Sequence, residues 1–149
     1  MIKKLLTTLV AFCVMGLSGG AWASDFGSPE EAKAMLEKAV AAMQADEASA
    51  LAAFNAGADG FKDRDLYVFC GGADGNFTAH PTLVGKSLKD LKDKADKALG
   101  EEIYATAKAG EITEVDYMWP RPGEQDPTAK VTYVTKVGDQ VCAVGYYKQ

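Results

Sequence analysis

Between Ala32 and Met43 the apolar residues fall at Ala32, Met35, Leu36, Ala39, Val40 and Met43. This three-four spacing predicts an amphipathic helix with one apolar stripe. Its start is written just upstream. Ser28 caps, Pro29 takes the first helical position, and Glu31 completes a capping box. Asp46 starts a shorter second helix that carries Leu51 and Phe54 and stops at Gly57. From Asp65 the period changes. Leu66-Tyr67-Val68-Phe69-Cys70 is a β-rich run, and Asp74-Gly75 is a hairpin signal. Asn76 to His80 returns as a strand that Pro81 ends. A polar, helix-prone stretch from Ser87 to Gly110 carries Ile103, Tyr104 and Ala107 on its apolar face. Three more strands are expected at Ile112–Trp119, Ala129–Val137 and Gln140–Tyr147, the last two joined by a tight turn at Gly138-Asp139.

The order is helix, helix, two strands, a helical stretch, three strands. Tight turns between the last strands imply a largely antiparallel sheet, so the class is α+β. The first helix covers one face of the sheet. Ser87–Gly110 is the only sequence left to cover the other.

The first residues carry a different pattern. Lys3 and Lys4 precede a mostly apolar run from Leu5 to Leu17, too short to span a bilayer comfortably. Ala21-Trp22-Ala23 follows as a small-x-small cleavage site. The expectation is a secretory signal peptide over residues 1–23, then one domain over residues 24–149, placed in the periplasm. An uncleaved membrane anchor is the alternative. The chain is acidic, with a formal net charge of −5. That argues against nucleic acid, whose phosphates demand clustered Lys and Arg, and against anionic membrane surfaces. Export permits a disulfide between Cys70 and Cys142, worth about 4 kcal/mol through the long loop that it closes. Two buried thiols are the alternative.

Catalytic chemistry is hard to assemble. There is one histidine, His80, and no nucleophile–base pair, so no enzyme is expected. No cysteine pair has metal spacing, and neither a metal nor a cofactor is implied. Asp74-Gly75-Asn76 lacks the flanks of a calcium loop. The richest stretch is Glu114–Val134. On a strand, Val115, Tyr117 and Trp119 share one face. Lys130 and Tyr133 follow after a Pro-Arg-Pro-Gly loop. An apolar wall, a few fixed donors and one cation suit a small organic acid. The competing reading is core packing with a solvated lysine. An odd separation sends Lys130 and Tyr133 to opposite faces of a regular strand. They share a pocket only if Lys130 lies in the loop after Pro127, or a bulge intervenes.

Several segments in order resemble single Cache domains of the pyruvate-sensing kind. They are Ala53-Phe54-Asn55, Asp65 to Phe69, His80-Pro81, Leu83 to Leu88, Tyr117 to Gly123, Lys130 to Val134, and Gly145-Tyr146-Tyr147. The resemblance covers essentially all of residues 24–149. It implies a PAS-like fold, a long N-terminal helix packed on a five-stranded antiparallel sheet. It also implies that the first and last strands are neighbours, which would bring Cys70 and Cys142 close. The family's ligands are small carboxylates of the pyruvate, lactate, acetate and propionate class. The matching site positions are His80, Tyr117, Trp119, Lys130 and Tyr133. In this expectation Lys130 pairs with the carboxylate. Tyr117, Tyr133 and His80 donate hydrogen bonds, while Trp119 and Phe69 supply apolar wall.

The resulting expectation is a periplasmic ligand-binding, sensory Cache domain without its own output module. It would serve a membrane receptor or kinase as partner. A homodimer would have to use the stripe of the first helix, which the sheet also needs. The rival expectations are a membrane-anchored sensor subunit and a structural protein with a filled pocket.

Overall fold

The computed structural model describes residues 24–149. The expected signal peptide, residues 1–23, lies outside the described residues. In chain order the elements are α1 (Pro29–Ala45), α2 (Glu47–Ala56), β1 (Lys62–Asp63), β2 (Leu66–Gly71), β3 (Phe77–Ala79), α3 (Leu99–Thr106), β4 (Thr113–Pro120), β5 (Pro127–Val137) and β6 (Gln140–Tyr147). The capping box at α1 is complete. Ser28 Oγ accepts from the Glu31 amide, and Glu31 accepts from the Ser28 amide. Asp46 caps α2 through the Ser49 amide, and Gly57 ends it in the left-handed region.

The sheet is antiparallel, in the order β1-β2-β6-β5-β4, with β3 beside β2. It has six strands rather than five. The added strand, Lys62–Asp63, is exposed at both positions and pairs with Leu66 and Tyr67. Such a strand has no buried face and so no alternation to betray it. It lies beside one end of β2 and β3 beside the other. The stretch expected to be helical from Ser87 is helical only over Leu99–Thr106. The rest is irregular chain held in part by the Asp93 carboxylate, which accepts from the nearby Ala95 and Lys97 amides and from the Met118 amide of β4.

Alternation along the strands divides the core into two layers. One side of the sheet gives Val68, Cys70, Cys142 and Val144 to a cluster beneath Ala32, Met35, Leu36, Ala39 and Met43 of α1. The apolar stripe of α1 is therefore spent on the sheet. The other side gives Tyr67, Phe69, Val115, Tyr117, Val134, Val141 and Ala143 to a second cluster, closed by Leu88, Leu99 and Ile103. The Ser87–Gly110 stretch thus covers the second face, as the element count demanded.

β2 and β6 are neighbours, and Cys70 stands directly opposite Cys142. Their Cα atoms are 4.1 Å apart and the sulfurs are bonded, across a sequence separation of 72. The bond lies under α1 and staples the first long strand to the last.

Candidate functional site

The second face carries an unusual group of residues. Lys130 stands in the regular part of β5, opposite Tyr117 on β4 and Tyr147 on β6. Only 1% of its surface is exposed. Its stem passes over Gly145, where an added Cβ would come within 2.5 Å of Lys130 Cε. Glycine is therefore what allows the side chain to lie across β6. The ammonium donates to Tyr67 Oη at 3.0 Å. It sits 4.3 Å from the Tyr67 ring centre, 4.7 Å from that of Tyr147 and 5.8 Å from that of Tyr117. Aromatic faces attract a desolvated cation, but they do not neutralise it. Lys130 forms no ion pair among the described residues.

The hydroxyls around it are donors at neutral pH. Burial, with the other tyrosines nearby, pushes Tyr117 and Tyr147 well above the usual phenol range. Tyr147 Oη donates to the Pro120 carbonyl at 2.7 Å, which fixes the ring. Thr132, on the same face as Lys130, is fully buried, and its Oγ1 makes no hydrogen bond of normal geometry among the described residues. His80 is 8% exposed. Its Nδ1 accepts from the Thr82 and Leu83 amides at 3.0 and 3.2 Å. With Nδ1 used as an acceptor, the neutral ring carries its proton on Nε2. Burial, then the charge of Lys130, lower its pKa from 6.5 to about 4. The ring is neutral across the physiological range.

Beside this polar group lies an apolar chamber. Tyr67, Phe69, Phe77, His80, Leu88, Leu91, Leu99, Ile103, Tyr117 and Trp119 line it, and it leaves only about 10 Å³ for the centre of a water-sized body. That is room for about one water. Its cover is pinned to the sheet by Asp93. One carboxylate oxygen accepts from the Ala95 and Lys97 amides at 2.8 and 2.9 Å, the other from the Met118 amide at 2.9 Å. Burial works to raise the Asp93 pKa, but these backbone bonds outweigh it and hold the carboxyl below its usual range.

The structure thus brings together five of the six residues expected at the site: Phe69, His80, Tyr117, Trp119 and Lys130. It does not bring Tyr133. That ring packs under the helical layer and lies 5.8 Å from the Tyr146 ring, on the opposite face of the sheet. The reason is the pleat. Lys130 pairs in register with no bulge, so an odd separation carries Tyr133 through to the other side. Neither route by which the two could share a pocket is used. Tyr67, Tyr147 and Thr132 were not expected at the site. Tyr67 was legible, because it stands two residues before Phe69 and must share its face. Tyr147 was legible from the two-residue turn. With Val137 opposite Gln140, counting back places Tyr147 opposite Lys130.

Comparisons with known proteins agree with this architecture. The methyl-accepting chemotaxis protein McpP of Pseudomonas putida is 34% identical over 56 residues, 38% of this chain. The match spans about a tenth of that longer protein. A solved periplasmic sensor domain of a chemotaxis protein is 28% identical with a TM-score of 0.61, over 80% of this chain and 90% of that one. A methyl-accepting chemotaxis protein from Vibrio parahaemolyticus shares the fold at 24% identity and a TM-score of 0.65, covering 79% of this chain and 86% of its own. A Cache chemosensory domain, solved to explain its carboxylic acid recognition, shares it at 20% identity and a TM-score of 0.57, over 80% and 88%. The sequence from residue 24 to residue 145 matches the family described as Single Cache domain 2, and the chain belongs to that family.

Proposed function

We propose that this protein is a ligand-sensing Cache domain that works on the outer side of the cytoplasmic membrane and binds a small monocarboxylate. One observation carries the reading: a fully buried ammonium, Lys130, enclosed by tyrosine rings and forming no ion pair among the described residues. A buried charge without a partner is costly, and a bound carboxylate would supply that partner. In this reading the ligand's carboxylate replaces the Tyr67 hydroxyl on Lys130 Nζ. The hydroxyls of Tyr117 and Thr132 and the His80 Nε2–H complete its hydrogen bonds. Phe69 and Trp119 enclose its short apolar part. Chemistry on the ligand is no part of the reading. The bound state would be relayed to a membrane receptor or kinase. The likeness to chemotaxis sensor domains supports that role.

A second reading is a packed core that needs no ligand. The small volume of the chamber favours it. A thermal-shift screen decides between them. Its panel holds pyruvate, lactate, acetate, propionate, amino acids and amines, after refolding by dialysis to strip any carried-over ligand. A ligand at about a hundred times its Kd stabilises by roughly 2.7 kcal/mol, several degrees for a domain of this size. A shift with carboxylates alone supports the first reading. A flat panel supports the packed core, and a shift with amines alone reverses the charge argument. N-terminal sequencing of exported protein tests the location, with Ser24 expected as the first residue.

A further inference from the structure

The chamber has an outer neighbour. A groove of about 410 Å³ is lined by Lys62, Tyr67, His80, Pro81, Thr82, Lys94, Trp119, Arg121 and the loop to Glu124. Its volume lies in the range of small-molecule sites, and the chamber's does not. Tyr67, His80 and Trp119 line both spaces. These three side chains are therefore the partition between groove and chamber.

The charge of the groove runs against that of the molecule. The chain is net acidic at −5. Yet the groove gathers Lys62, Lys94 and Arg121 against one acid, Glu124. Arg121 is partly spoken for. Its Nε lies 3.6 Å from the buried Asp65 carboxylate, and its guanidinium stacks at 4.3 Å on Phe26 and 5.1 Å on Tyr147. Lys62 and Lys94 are exposed and form no ion pair among the described residues. The Lys94 ammonium stands 5.8 Å from the Trp119 ring, on the partition itself.

We infer that this groove is an anion antechamber: a small carboxylate docks on Lys62 and Lys94 and then passes the Tyr67–His80–Trp119 partition to reach Lys130. The inference rests on the carboxylate reading of the inner site. The apparent association rate is then the docking affinity multiplied by the rate of passage. Dissociation from the inner site does not depend on the two lysines. A cleft of one charge concentrates the opposite ion and raises association by ten-fold or more, an effect that salt removes.

Stopped-flow tryptophan fluorescence with pyruvate and with acetate tests this in the full chain. Three proteins are compared at low and high salt. They are the wild type, Lys62→Glu/Lys94→Glu, and a control of equal charge change, Lys108→Glu/Lys136→Glu. The control pair meets far from the groove, where the Lys136 amide donates to the Lys108 carbonyl. The expected result is an association rate at least tenfold lower in the groove variant at low salt, with its salt dependence lost. The dissociation rate is unchanged, and the control behaves as wild type. Association that is indifferent to salt and to the groove reversal, in a wild type that binds, overturns the antechamber alone. An equal fall in groove variant and control also overturns it, because net charge would then be the cause. A wild type that binds neither these two acids nor lactate or propionate overturns the inner-site reading, and this inference with it.

Discussion

Replacing Lys130 with methionine separates a charge kept for function from one kept for stability. Methionine preserves most of the buried stem and removes the ammonium. The folded state then loses the bond to Tyr67 Oη at 3.0 Å and three ring contacts between 4.3 and 5.8 Å. A hydrogen bond to a charged group is worth about 1.5–3 kcal/mol. Each desolvated cation–ring contact adds about 1–2 kcal/mol. Against these stands the removal of an ammonium from water, which costs several kcal/mol even after relaxation. The two sides cancel to within about 2 kcal/mol, so the melting temperature moves by no more than about 8 °C. Binding does not cancel. A buried charge contact with a carboxylate is worth about 2–5 kcal/mol when one partner is removed. Affinity then falls by about 30- to 4,000-fold. Isothermal titration calorimetry with the best acid of the panel reads the second quantity, and thermal melts read the first. Lys130→Met binding within threefold of wild type would refute the reasoning. So would a loss of stability above about 4 kcal/mol with binding retained, because the ammonium would then be a structural part.

Three further outcomes follow from the geometry. Gly145→Ala places a methyl 2.5 Å from Lys130 Cε and 3.0 Å from the Val131 carbonyl oxygen. It is expected to cost about 1–3 kcal/mol in thermal melts and to weaken carboxylate binding, and an unaffected affinity would show that the stem has another path. Reducing the Cys70–Cys142 bond is expected to lower stability by about 4 kcal/mol, read as a shift in urea midpoint with and without reductant. An unmoved midpoint contradicts this. His80 has a native pKa of about 4 against an ordinary 6.5, so the unfolded chain takes up a proton that the native state refuses. Its contribution is complete above pH 6.5 and is lost as pH falls from 6.5 to 4, by about 3 kcal/mol. Against His80→Gln, the wild type should lose that much more stability between pH 7 and pH 4, and parallel curves would contradict it.

Much of the fold was legible because its signals are local. The capping box at Ser28 and the stripe below it define α1 without reference to anything distant. β6 runs from Gln140 to Tyr147, the span expected directly after the Gly138-Asp139 turn. β1 was invisible because two exposed residues carry no pattern. The cover before Leu99 reads as helical, yet Asp93 draws its carboxylate bonds from backbone amides and holds that chain in another shape.

The sequence by itself determined α1, α2 and the long strands, the face on which each residue of those strands points, and one register. A two-residue turn at Gly138-Asp139, with Gly138 at φ 58°, sets Lys130 opposite Tyr147 by counting alone. The same counting set Tyr133 against the side of Lys130, and the regular, bulge-free pairing of β5 then excluded it. Only the tertiary structure decided the rest. The loop between β4 and β5 is long enough to permit several registers, so the pairing of Tyr117 with Lys130 depends on how both strands pack. β2 meets β6 from the far end of the sequence, and that meeting brings Tyr67 to the ammonium and Cys70 to Cys142. Periodicity is a property of neighbours along the chain, whereas a buried cation's surroundings are assembled from strands that only the closed sheet brings together.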